Sequence, residues 1–110
     1  MASEKEFLNY VLDALSVKGI NDLSFRPMMG EYLIYKNGIY FGGIFDNAFL
    51  VKKTISNEKF NLSEITPYPG AKLMYEVEPE SVDICEIIAN ACADLTKKQI
   101  KIKKADKNQK

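Results

Sequence analysis

Residues 25–53 read FRPMMGEYLIYKNGIYFGGIFDNAFLVKK, from Phe25 to Lys53, and this stretch decides the fold. After Phe25 itself it holds six of the chain's twelve Tyr and Phe residues and four of its six glycines. Asn37-Gly38 lies between two apolar runs. That is the strongest short-range signal for a β-hairpin, because a type I′ turn needs φ > 0 at both central residues. Asp46-Asn47 is a second, weaker turn of the same kind. The stretch therefore reads as a β-meander of three short antiparallel strands. It is entered through Arg26-Pro27-Met28-Met29-Gly30, where Pro27 keeps Phe25-Arg26 extended and Gly30 permits a bend.

Register follows from the Asn37-Gly38 turn. Lys36 then pairs with Ile39, Tyr35 with Tyr40, Ile34 with Phe41 and Leu33 with Gly42. One face carries Tyr32, Ile34, Ile39, Phe41, Phe45 and Leu50. The other carries Leu33, Tyr35, Tyr40, Ile44, Phe49 and Val51. Both faces are apolar, whereas a sheet with one wet face would alternate cleanly. The sheet is therefore expected to be covered on both sides, by helices on one and by something else on the other. Gly42-Gly43 removes side chains from mid-strand, which predicts a bulge, a sharp bend or a close backbone approach.

Working outward, Ser3 to Lys18 reads as a helix with Phe7, Leu8, Val11, Leu12 and Leu15 on one stripe. Ser3 and Glu6 form a capping-box pattern. Gly19 suits the left-handed position after the helix, and Ile20 can fold back on the last turn. Leu23–Arg26 reads as a short first strand. Beyond Lys53 the pattern breaks, and a short helical turn is expected near Asn57–Leu62. Residues 66–70 read as loop and Ala71–Glu78 as the last strand, at or near a sheet edge. Pro79 opens a final helix, with Val82, Cys85, Ile88, Ala89, Cys92 and Leu95 as its stripe and Ile84, Ile87 and Ala91 widening it. The fold class expected is α+β: an N-terminal helix, an antiparallel sheet of four or five strands, a short middle helix, and a C-terminal helix packed with the first on one sheet face.

Composition bounds the function. The 110 residues suffice for one domain with its own core. The charge sums to zero but is uneven: residues 97–110 hold seven Lys and one Asp, net +6, and residues 1–96 hold eight Lys/Arg and fourteen Asp/Glu, net −6. The chain divides into a body, 1–96, and a basic tail, 97–110, expected to fray. The tail could contact nucleic acid through Lys101, Lys103 and Lys104. It has neither aromatic residues nor Arg, so such binding would be weak, salt-sensitive and blind to sequence. No apolar run is long enough to span a bilayer, and the N-terminus lacks a signal-peptide core, so a cytoplasmic location and no membrane partner are expected.

Candidate chemistry is sparse. There is no histidine, which removes the commonest general base and transition-metal ligand. The two cysteines, Cys85 and Cys92, read as core packing on one helix face. No Ser or Cys has a visible base, and Gly42-Gly43 lacks the surroundings of a phosphate loop. The reading is of a non-enzyme with no catalytic residues, no cofactor and no metal. Arg26, the chain's one arginine, either pins the turn beside it or meets a carboxylate or phosphate of a partner.

RPMMGEYLIYKNGIYFGGI resembles the signature of the TfoX N-terminal domain family. The preceding amphipathic helix, the Tyr68-Pro69-Gly70 turn, the strand with Tyr75-Glu76-Val77 and the closing helix extend the resemblance over about residues 3–98. Glu31 stands where the family commonly has a second glycine, and Met29 where it has an aromatic. The longer family members add a C-terminal helical domain, so the chain corresponds to a stand-alone N-terminal domain. The resemblance implies the family's fold and a regulatory role like that of competence regulators, which act with a cyclic-AMP-receptor-type activator on DNA. The function expected is a regulatory or protein-interaction module whose partner belongs to the transcription machinery. Arg26, Met29, Tyr35, Tyr40 and Phe49 are its candidate contacts. Two alternatives stand beside it: a chaperone-like or scaffold homodimer using the outer sheet face, and a weak nucleic-acid binder acting through the tail.

Overall fold

The computed structural model describes the backbone of residues 3–108 and the side chains of residues 3–97. Helix α1, Lys5–Val17, leads into strands β1 (Leu23–Met28), β2 (Glu31–Lys36), β3 (Ile39–Phe45) and β4 (Ala48–Lys52). A 3-10 helix, Ile55–Phe60, two short strands, β5 (Ser63–Ile65) and β6 (Met74–Glu76), and helix α2, Ile84–Asn108, complete the chain. The six strands form one antiparallel sheet in the order β1-β2-β3-β4-β6-β5. This is the expected α+β architecture with one strand more, because β5 lies in a segment read as irregular.

Turn chemistry explains the meander. Asn37 and Gly38 have φ of 51° and 78°, and Asp46 and Asn47 have 51° and 55°, as primed hairpin turns require. Met29-Gly30 joins β1 to β2 with φ of 50° and 84°. It is a third turn of that kind, where the sequence suggested only a bend. Gly19 ends α1 at φ 86°, and the Ile20 amide donates to the Leu15 carbonyl at 3.1 Å, burying Ile20 under the last turn.

The register is as expected at Lys36↔Ile39 and Tyr35↔Tyr40. It then slips by one, so that Ile34 faces Gly42 and Leu33 faces Gly43. Phe41 is the extra residue of this bulge. A Cβ on Gly42 would run into the Leu50 carbonyl oxygen, and one on Gly43 into that of Tyr32. The two glycines let neighbouring strands close tightly around the irregularity.

The slip reassigns the faces, since one residue of shift turns every following side chain over. Ile44, Phe49 and Val51 join Ile34 and Phe41 in one core with Leu8, Val11 and Leu15 of α1 and Ile84, Ile87, Ile88 and Ala91 of α2. Phe45 and Leu50 move to the opposite face, where they pack with Met74. Both helices thus cover one sheet face.

Three details differ from the sequence reading. Ser3 does not cap α1. Glu4 takes the cap position, and the Ser3 hydroxyl donates to Glu31 Oε1 at 2.5 Å while accepting the Asn47 amide at 3.0 Å. α2 begins at Ile84 rather than at Pro79, because Ser81 Oγ accepts the Asp83 amide at 3.2 Å and holds residues 79–83 in turns. The buried stripe of α2 is consequently Ile84, Ile87, Ile88 and Ala91, with Val82, Cys85 and Ala89 exposed. The backbone of residues 97–108 belongs to α2.

Candidate functional site: the outer face of the sheet

The face turned away from the helices is covered over only part of its area. At β4 and β6, the segment between β5 and β6 folds across it. Tyr68 places its ring 6.3 Å from that of Phe45, and Phe45, Leu50 and Met74 are buried. This segment is the second cover that the two-sided apolar pattern required. Over β1 and most of β2 and β3 it is missing, and Leu33, Tyr35 and Tyr40 are half-buried there.

Arg26 lies on this open part, opposite Leu33. Its side chain is exposed and makes no hydrogen bond or ion pair with the described residues. Among the described residues, the internal ion pair that could have pinned the neighbouring turn is not formed. Met29 sits at the tip of the same hairpin and is 97% exposed. A non-glycine residue in the left-handed region costs about 1–2 kcal/mol. Here that cost is borne by a large apolar side chain that rests on nothing.

Beside these, Tyr35 and Tyr40 form a tilted ring pair at 5.7 Å, and Lys52 Nζ lies 4.1 Å from the Tyr40 ring centre. Burial raises the Tyr40 phenol above its ordinary value, and Tyr68 and Tyr35 add to the effect, so it stays neutral at physiological pH. Of the expected contacts, Arg26, Tyr35 and Tyr40 thus share the outer face, and Met29 marks its edge. Phe49 does not belong with them. It is 2% exposed in the main core, on the helix side, because the bulge turned it over. Lys101, Lys103 and Lys104 lie on the last turns of α2, and their side chains fall outside the described residues.

The face has features the sequence reading missed. A groove of about 370 Å³ runs along its border, lined by Tyr40, Lys52, Lys53, Tyr68, Lys72 and Leu95 among others. Tyr68, Lys52 and Lys72 were passed over because the chain brings them together only through the β4–β6 pairing. The one local signal was the Tyr68-Pro69-Gly70 turn itself.

The far end of the sheet is closed by a polar tie. Ser3, Glu31, Asp46 and Asn47 bond across three segments: the Asp46 amide donates to Glu31 Oε2 at 3.0 Å and the Glu4 amide to Asn47 Oδ1 at 2.8 Å. Glu31 therefore anchors the N-terminus to two hairpin turns, a structural use for its carboxylate. On the helix face, Asn57 is fully buried. It donates to the Ile87 carbonyl at 2.9 Å and accepts from Asn90 at 3.1 Å, docking the 3-10 helix on α2. Asp94 receives the Ser56 amide at 2.9 Å and its hydroxyl at 2.7 Å. Burial tends to raise the Asp94 carboxyl, but the two bonds from Ser56 and the charge of Lys97 outweigh it and hold the group below the usual carboxylate value.

Among the described residues, no group of three or more His, Cys, Asp or Glu side chains could hold a metal ion, and no helix is long and apolar enough to cross a membrane. Neither the family models nor the curated proteins yield a match to this chain, so its resemblance to the TfoX N-terminal domain family rests on the residues quoted above.

Proposed function

We propose that this protein is a non-enzymatic regulatory module that binds a protein segment on the open part of its outer sheet face. The observation that carries the reading is the β1–β2 hairpin. It holds an exposed arginine whose side chain has no partner among the described residues and, at its tip, an almost fully exposed methionine in a strained conformation. Strain of that kind persists where the surroundings impose it, and it is concentrated at binding sites. Leu33 and Tyr35 continue the surface as an amphipathic floor, the kind of residue set enriched at protein interfaces. Arg26 suits a partner carboxylate, which its planar guanidinium can hold with two parallel bonds. The chain's lack of histidine and of any visible activated nucleophile supports a binding role over a catalytic one. The TfoX-like pattern adds the kind of process, regulation of transcription through a protein of that machinery.

The test is capture from native, nuclease-treated lysate with the wild-type chain and with Arg26→Glu. The expected outcome is a protein, identified as a polymerase subunit or an activator, that the wild type retains and the variant releases, at unchanged melting temperature. Identical captured sets would defeat the reading. A dimer in sedimentation that Leu33→Asp dissociates would replace it with a self-associating scaffold.

A further inference from the structure

We propose that β1 pairs edge to edge with β1 of a second copy of this chain, antiparallel and centred on Ser24, so that one sheet runs through both molecules. The inference goes beyond the protein-partner reading and needs no third molecule.

The edge comes first. β1 is the last strand on its side of the sheet. The Asn37 amide donates to the Asp22 carbonyl at 3.0 Å, and the register places these two residues opposite each other, as a hydrogen-bonded pair. Alternation then turns the backbone groups of Ser24, Arg26 and Met28 toward β2 and those of Leu23, Phe25 and Pro27 outward. The Tyr32 carbonyl, which points at Gly43 of β3, has the parity this requires. Pro27 thus sits where its missing N–H costs the β1–β2 ladder nothing. Among the described residues nothing bonds to the amides of Leu23 and Phe25. Ser24, Phe25, Arg26 and Pro27 are exposed.

The side chains name the occupant. Asp22-Leu23-Ser24-Phe25-Arg26 complements its own reverse: acid against base, apolar against apolar, with Ser24 on the axis. Under two-fold symmetry Arg26 lies opposite Asp22 of the second copy and Leu23 opposite its Phe25, each twice over. The Leu23 and Phe25 amides meet the Phe25 and Leu23 carbonyls across the axis, so every outward donor of the strand is used. Asp22 and Arg26 are exposed, and neither side chain has a bond or ion pair among the described residues. The other charges nearby are engaged: Lys36 holds the Asn21 carbonyl at 2.8 Å, and Glu31 is bonded to Ser3 and to the Asp46 amide. The Phe25 ring meets that of Tyr32 edge-on at 5.9 Å and is still 40% exposed.

Pro27 and Arg26 select this register. A pairing centred on Phe25 would set Pro27 against Leu23 of the other copy and lose a bond on each side of the axis. One centred on Arg26 would set the two guanidinium groups against each other. With Ser24 at the centre, Pro27 falls beyond the last bond. Arg26 has more donors than Asp22 occupies, so it can hold a further carboxylate as well.

The experiment is sedimentation equilibrium of the purified full chain. A monomer–dimer equilibrium is expected with Kd of about 10–100 µM, since one strand pairing makes a small interface. Arg26→Glu and Asp22→Lys each set like charges opposite one another and should weaken the dimer about tenfold. The double variant faces opposite charges again and should return to within about threefold of wild type. With Cys85→Ser as background, Ser24→Cys should form an intermolecular disulfide under mild oxidation, because Cα atoms of a non-hydrogen-bonded pair lie about 4.5 Å apart. Met29→Cys, also exposed but off the axis, should not. Melting curves establish that the variants are folded. A monomer up to about ten times that Kd, a dimer indifferent to both single charge variants, no recovery in the double variant, or equal cross-linking of the two cysteines would overturn the proposal. The dimer is read on the purified chain alone, and the double variant is dimeric without Arg26, so loss of the dimer and loss of partner capture are separate failures.

Discussion

The two faces of the sheet are made by the same strands and end in opposite conditions. On one, two helices and a 3-10 helix seal Ile34, Phe41, Ile44, Phe49 and Val51 into a continuous core. On the other, a single loop covers Phe45, Leu50 and Met74 and leaves Leu33, Tyr35 and Tyr40 half open. Both faces are apolar in sequence. What separates them is the number of elements laid over each, and what assigns residues to each is one bulge at Phe41. Parity relative to that bulge therefore sets the face of an apolar residue in this sheet, and on the outer face the crossing loop decides whether it is buried.

The comparison can be broken most directly by truncating one residue on each side. Phe49→Ala should cost about 3–5 kcal/mol in urea unfolding, since the site is sealed and cannot collapse fully. Leu33→Ala should cost about 1 kcal/mol, as a half-exposed site does. Equal losses would mean that the outer face is as much core as the inner one. Gly42→Ala comes next, at about 2–3 kcal/mol, because its methyl group meets the Leu50 carbonyl, which cannot move without opening the β3–β4 ladder. Normal stability in this variant would mean that the bulge tolerates a side chain and that the division between faces is loosely held.

Asp94→Asn sharpens the account of the covered face. The variant should lose about 1 kcal/mol at neutral pH. The native carboxyl lies below its usual value, so its contribution is complete above the unfolded carboxylate range. It fades as pH falls through the depressed native value. Melting curves of the two proteins should therefore converge in acid. A gap that stays constant with pH would show that the Ser56 bonds owe nothing to the charge. The smallest effect is a gain. Met29→Asn should stabilise the protein by about 0.5–1 kcal/mol, since asparagine tolerates the left-handed region that methionine resists. Partner capture should fall in the same variant. Stabilisation with undiminished capture would make Met29 a mere turn residue.

Legibility in the sequence followed the range of the interaction responsible. Asn37-Gly38 and Asp46-Asn47 announced their turns because the conformation is dictated within two residues. Met29-Gly30 did not, because methionine is a poor residue for the same geometry. Ser3 followed by Glu6 met the local rule for a cap. The rule lost to Glu31 and Asn47, which lie 28 and 44 residues away and reach the same hydroxyl. The stripe of α2 was misread for a similar reason: Val82 and Cys85 are apolar enough for a core but precede or flank the turn at which the sheet is met. Within the candidate site, Arg26 was legible as the one arginine beside a turn. The groove was not, since Tyr68 joins Tyr40 and Lys52 only when β6 pairs with β4.

The β1–β4 meander, two of its three turns, the helices that precede and follow the sheet in the chain and the division into an acidic body and a basic C-terminal segment were determined by the sequence alone, because periodicity, turn residues and charge act locally. The tertiary structure decided which apolar residues are core, which face stays open and where the lysines gather. Those depend on a one-residue slip in strand pairing and on the loop that crosses the sheet, and both are settled by packing between segments far apart in the chain.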